Sequence, residues 1–62
     1  MQDEIINIDE LMKILHIGRN TAYRLLDNGE VRAFKIGKVW KIQKSAVQEY
    51  IEEQTKETQK TN

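Results

Sequence analysis

Residues 16–29 read His16-Ile17-Gly18-Arg19-Asn20-Thr21-Ala22-Tyr23-Arg24-Leu25-Leu26-Asp27-Asn28-Gly29. Ala22, Leu25 and Leu26 fall on one helical stripe, so the spacing predicts a helix from about Arg19 to Asn28. Asn28-Gly29 is its stop, because glycine takes the left-handed conformation after a last turn without steric penalty. On the other side His16-Ile17-Gly18 breaks the pattern, with Gly18 expected to supply a permissive backbone for a tight turn. Upstream, Ile8, Leu11, Met12 and Leu15 recur at helical spacing, one apolar face on a helix of about two turns. Asn7 followed by Glu10 is a capping-box-like start for that helix, and Ile6 is placed to staple it. Two short helices joined by a short turn containing glycine describe a helix-turn-helix unit.

Downstream the period changes. Phe34 and Ile36 alternate with Lys35, and Trp40 and Ile42 alternate with Lys41, which predicts two short strands around Gly37-Lys38. A two-residue turn pairs Phe34 with Lys41 and Lys35 with Trp40, mixing apolar and charged residues on one face. A three-residue loop, Gly37-Lys38-Val39, pairs Ile36 with Trp40 and Phe34 with Ile42, and so gives one apolar face. The three-residue loop is therefore the expected register. It sets Lys35 opposite Lys41, a like-charge pair that a nearby phosphate would relieve.

Ser45 and Gln48 read as a second capping box, opening a third helix over about 46–54 with Val47, Tyr50 and Ile51 on its apolar side. From Thr55 to Asn62 there is no apolar residue, which predicts a disordered polar tail. The expectation is a single small α+β domain over 1–54, in the order helix, helix, β-hairpin, helix, with a tail over 55–62.

Composition narrows the function. The chain has 62 residues, no cysteine, no proline and one histidine, His16. Disulfides are excluded, and a zinc cage lacks its several Cys or His ligands. No apolar run approaches the roughly 20 residues of a membrane span, and the acidic start differs from a secretory signal. A cytoplasmic protein is expected. No nucleophile sits with a base, no glycine-rich phosphate loop occurs, and His16 is expected to be solvated or capping. Neither an enzyme nor a cofactor is expected.

The formal net charge is +0, which on its face argues against a polyanionic partner. The layout argues otherwise. Residues 1–18 sum to −3, residues 19–44 to +5 and residues 45–62 to −2. On the second helix the side away from the apolar stripe carries Asn20 and Arg24, with Thr21 and Tyr23 on the flanks and Arg19 in the first turn. Arginine reads guanine through two hydrogen bonds and asparagine reads adenine, while Thr and Tyr suit phosphate or base-methyl contacts. A solvated helix face also shows Arg and Asn, and Tyr23 is placed for either packing or contact. On the hairpin, Lys35, Lys38 and Lys41 suit a DNA backbone or an adjacent minor groove. Lysines on an edge strand also guard against aggregation. Trp40, the one tryptophan, is expected in the core.

Taken together, Ile17-Gly18-Arg19-Asn20-Thr21-Ala22-Tyr23-Arg24-Leu25-Leu26, Gly29-Glu30-Val31 and Phe34-Lys35-Ile36-Gly37-Lys38-Val39-Trp40-Lys41-Ile42 resemble the small winged helix-turn-helix domains of the MerR-like superfamily, excisionase-type branch. The resemblance covers about residues 6–52. It implies a winged helix-turn-helix fold with the second helix in the major groove of double-stranded DNA and the hairpin as the wing. It implies DNA contacts from Tyr23 and Arg24 and from the wing positions Lys35, Lys38 and Lys41. It further implies a bacterial or phage-encoded excisionase, a recombination directionality factor that assists a tyrosine-type integrase and binds beside further copies of itself. No small-molecule effector is expected, because the dimerising coiled coil and effector domain of larger relatives are absent from the sequence. The alternatives are a small transcriptional regulator of the same fold and a protein-interaction module.

Overall fold

A computed structural model of the chain describes residues 3–59. In chain order these form β1 (Ile5–Ile6), α1 (Ile8–Leu15), α2 (Arg19–Asp27), β2 (Ala33–Ile36), β3 (Val39–Gln43) and α3 (Lys44–Gln59). The strands make one antiparallel sheet in the order β1-β3-β2, and the helices cover one of its faces.

Helix α1 begins as its sequence predicts. The Asn7 side chain accepts a hydrogen bond from the Glu10 N–H at 3.0 Å, satisfying one of the orphan donors of the first turn. It ends on His16 in the left-handed region, φ 57° and ψ 49°, and the Ile17 N–H donates to the Met12 carbonyl at 3.1 Å. The left-handed residue of the turn is therefore His16 and not Gly18. Gly18 is extended, at φ −81° and ψ 173°, and serves as the N-cap of α2. Helix α2 ends in a Schellman closure around Gly29, whose φ is 76°. The Glu30 N–H donates to the Leu25 carbonyl at 2.9 Å and the Gly29 N–H to the Leu26 carbonyl at 3.2 Å.

The core is one cluster. Leu11 comes from α1, Ala22, Leu25 and Leu26 from α2, Ile6 from β1, Ile42 from β3, and Ala46 and Val47 from α3, with Val31 in the connection. Leu11, Ala22 and Ile42 are fully buried. Ile8, Met12, Leu15, Trp40, Tyr50 and Ile51 pack around them, half-exposed. No polar side chain is buried among the described residues, so the core carries no desolvation debt.

The hairpin register differs from the expected one. β2 and β3 are joined by the two-residue turn Gly37-Lys38, pairing Ile36 with Val39, Lys35 with Trp40, Phe34 with Lys41 and Ala33 with Ile42. The reason is turn chemistry. Gly37 has φ 63° while Lys38 has no positive φ, the pattern of a type II′ turn with glycine first. A three-residue loop asks its last residue to be left-handed, and that residue is the β-branched Val39. Trp40 and Ile42 still face the core. Phe34 and Ile36 do not; they lie with Val39 and Lys41 on the outer face. Lys35 and Lys41 lie on opposite faces, so they are not a like-charge pair. Instead the Lys35 ammonium sits 5.0 Å from the centre of the Trp40 ring. A cation over an indole face contributes about 0.5–1 kcal/mol at an exposed site, which offsets the mixed pairing.

Helix α3 departs from expectation at both ends. It starts at Lys44, so Ser45 lies within the first turn and forms no capping box with Gln48. Asp3 takes over that role from across the sheet. Its carboxylate accepts from the Ser45 backbone N–H at 3.1 Å and from the Ser45 hydroxyl at 2.6 Å. Pairing of β1 with β3, extended by the Lys44 N–H to the Glu4 carbonyl at 2.8 Å, carries Asp3 there. A carboxylate also complements the positive end of the helix dipole better than a serine does. At the other end α3 continues past residue 54 to Gln59, where the sequence predicts the start of a tail. Glu, Gln and Lys are good helix formers, and the Thr55 hydroxyl bonds back to the Ile51 carbonyl at 2.8 Å. Residues 60–62 of the expected tail lie outside the described residues.

Asp3→Ala removes a charged cap and should lower stability by about 1 kcal/mol, whereas Gln48→Ala should change it by less than about 0.5 kcal/mol. Urea unfolding of the two variants checks this. Equal losses from both would restore the capping box and remove the role given to Asp3.

Candidate nucleic-acid interface

The turn between α1 and α2 holds three residues, His16 to Gly18. The apolar stripe of α2 faces the core, so its opposite side is presented outward. Asn20 and Arg24 are exposed there, one turn apart, Asp27 continues their stripe, and Tyr23 is exposed at its edge. Thr21 is half-buried at the flank. Gly18 makes no side-chain cap bond. The first turn of α2 thus presents backbone N–H groups with no serine or threonine oxygen over them.

Arg19 behaves differently from its neighbours. Its guanidinium donates to the Asp9 carboxylate at 3.2 Å, tying the start of α2 to the first turn of α1. Both side chains are exposed, and a pair of this kind contributes at most about 1 kcal/mol. Arg19 is therefore a cation with a partner, unlike Arg24.

The same division runs through the whole basic block. Arg32 bonds Glu49 of α3 at 2.9 Å, and Lys44 reaches Glu4 at 3.5 Å. Both cations lie where the hairpin joins the body. Arg24 on α2 and Lys35, Lys38 and Lys41 on the hairpin make no ion pair among the described residues. Within this block the pairing neutralises Arg19, Arg32 and Lys44 and leaves Arg24 and the three hairpin lysines uncompensated. Lys38 is the second residue of the turn, Lys35 leans on Trp40, and Lys41 is half-buried beside Phe34 on the other face.

A groove of about 470 Å³ runs from the end of α2 to the hairpin and includes Leu26, Val31, Arg32, Phe34 and Trp40 in its lining. Its one charged side chain is Arg32, already held by Glu49. Among the described residues no three His, Cys, Asp or Glu side chains gather as metal ligands. No described helix is long and apolar enough to cross a membrane.

Two features of this surface do not follow from residue type and helical projection. The exclusion of Arg19 from the free cations depends on Asp9, which is ten positions away and meets it only through the helix packing. The outward apolar face of Phe34, Ile36 and Val39 depends on the turn. Its signal was present in the sequence: glycine stands at the first turn position, not the last.

A family model for the helix-turn-helix domain matches residues 5–55. No curated protein and no solved structure matches the chain. The matched span takes in both helices, the three-residue turn, the hairpin wing and most of α3. With that span covering most of the sequence, the chain belongs to the helix-turn-helix domain family, and DNA is the partner that membership supports.

Proposed function

We propose that the chain is a sequence-specific DNA-binding protein with an architectural role, an excisionase that assists a tyrosine-type integrase in excising a mobile element. In this reading α2 lies in the major groove. Arg24 and Asn20 read base edges, and Tyr23 and Thr21 contact the backbone or a base methyl. Arg19 contacts a phosphate after leaving Asp9. Lys35, Lys38 and Lys41 neutralise phosphates beside the wing.

The observation that carries the DNA reading is the selective pairing of cations. Carboxylates hold Arg19, Arg32 and Lys44, whereas Arg24 on α2 and Lys35, Lys38 and Lys41 on the wing make no ion pair among the described residues. The excisionase role rests on the resemblance of the turn, helix and wing motifs to that branch. Further copies of the chain on neighbouring DNA are part of the proposal.

Three wing lysines on phosphates add about −0.9 each to the slope of log affinity against log salt. Lys41→Ala should therefore weaken binding to all sequences alike and make the slope shallower by about one. Arg24→Ala should cost roughly 1–3 kcal/mol on the preferred site and relax its sequence preference. Titrations of selected and scrambled duplexes at several salt concentrations read both. A sequence-dependent effect of Lys41→Ala, or a uniform effect of Arg24→Ala, would reverse the assigned roles.

The biological assignment is read by recombination. With the integrase of the element that encodes the chain, excision of a marked segment should rise at least tenfold when the chain is added, and integration should not. Equal excision with and without it, alongside a change in a nearby promoter's output, would make it a transcriptional regulator instead.

A further inference from the structure

Phe34, Ile36 and Val39 are 48%, 60% and 51% exposed, although the domain is small and has few large apolar residues to spare. They are not scattered. Ile36 and Val39 are the cross-strand pair that flanks the turn, and Phe34 stands one step behind Ile36 on the same face. Large apolar side chains left together in water mark a binding surface. The chemistry around them says for what. Lys41 is the direct partner of Phe34 on this face, Lys38 is in the turn, and Lys35 projects from the opposite face of the same ribbon. None of the three has a carboxylate partner among the described residues.

The geometry points to the hairpin tip as an apolar wedge for the minor groove of duplex DNA, with Ile36 and Val39 pressing on a base step and the lysines holding the flanking phosphates. The inference rests on the DNA-binding reading and adds how the wing acts. A minor groove has two phosphate walls and a floor of sugar C–H groups and base edges. A ribbon entering it tip first needs cations on both faces and apolar groups near its end. The register supplies both, since it sends Lys35 and Lys41 to opposite faces and leaves Ile36 and Val39 beside the turn. An acidic patch on a protein would call for cations on one face only. Apolar side chains inserted from this side unstack a base step and kink the duplex away from the protein, most easily at pyrimidine–purine steps. Gly37, with no side chain at the leading edge, lets the backbone approach the groove closely.

The test uses the full chain and a duplex of about 25 base pairs carrying TA steps. One copy has a fluorophore pair at its ends to read bending, and another has 2-aminopurine at the TA steps to read unstacking. The wild-type chain should shorten the end-to-end distance and raise 2-aminopurine emission at least twofold. Ile36→Thr combined with Val39→Thr keeps β-branched side chains at exposed positions, so the fold should survive; its circular dichroism should match wild type. This variant should bind within about fivefold of wild type at low salt yet lose most of both signals. Lys38→Ala should weaken binding and keep both signals at saturation. Wild-type binding without bending or unstacking would overturn the wedge and leave the DNA reading intact. Absence of any binding at low salt would overturn both. Unchanged bending by the double variant, with self-association lost in sedimentation, would overturn the wedge and make the apolar face a contact between copies.

Discussion

Gly37 holds a positive φ at the first position of a two-residue turn, and the side on which each wing residue stands follows from it. With that turn, Trp40 and Ile42 share the inner face and reach the helices, while Phe34, Ile36 and Val39 face outward. Lys35 and Lys41 part to opposite faces. A register shift by one residue would exchange these sets, because side chains alternate along a strand. β3 is also the central strand, so its placement governs β1, and β1 delivers Asp3 to the start of α3. One glycine torsion thus reaches the wing, the core edge and the capping of a helix on the far side.

The charge of the chain is resolved by pairing rather than by totals. The net charge is +0, and the sequence separates it into a basic middle and acidic ends. Folding brings the acidic ends back onto part of that middle. Asp9, Glu4 and Glu49 meet Arg19, Lys44 and Arg32, each across a contact between different segments. Each pair is exposed and contributes little stability. Their effect is on which cations of the basic middle stay uncompensated, namely Arg24 on α2 and Lys35, Lys38 and Lys41 on the wing.

The helix-turn-helix was legible because its signals are local. Asn7 caps α1, Gly29 closes α2, and Ala22, Leu25 and Leu26 share a stripe, all within a few residues of one another. The hairpin was legible in position but not in register. Apolar alternation favoured a single clean face, whereas the left-handed demand on Val39 forbade the loop that such a face needs. The two-residue β1 was not legible, since Ile5-Ile6 is too short to show a period and gains its structure by pairing with Gln43 and Ile42. The start of α3 was not legible either, since Asp3 is 42 positions from Ser45 and no local pattern announces it. For the site, the cations of α2 and the wing could be read from residue type and helical projection. Which of them keep their charge uncompensated could not, because that depends on tertiary partners.

If α2 and the wing form one DNA-facing side and α3 stands apart from it, bound DNA perturbs the first two and spares the third. Backbone amide NMR of the ¹⁵N-labelled chain, titrated with duplex DNA, reads this residue by residue. Shift changes should concentrate at residues 18–24 and 35–41, with 46–58 nearly unmoved. Changes concentrated along α3, with α2 and the wing silent, would contradict it.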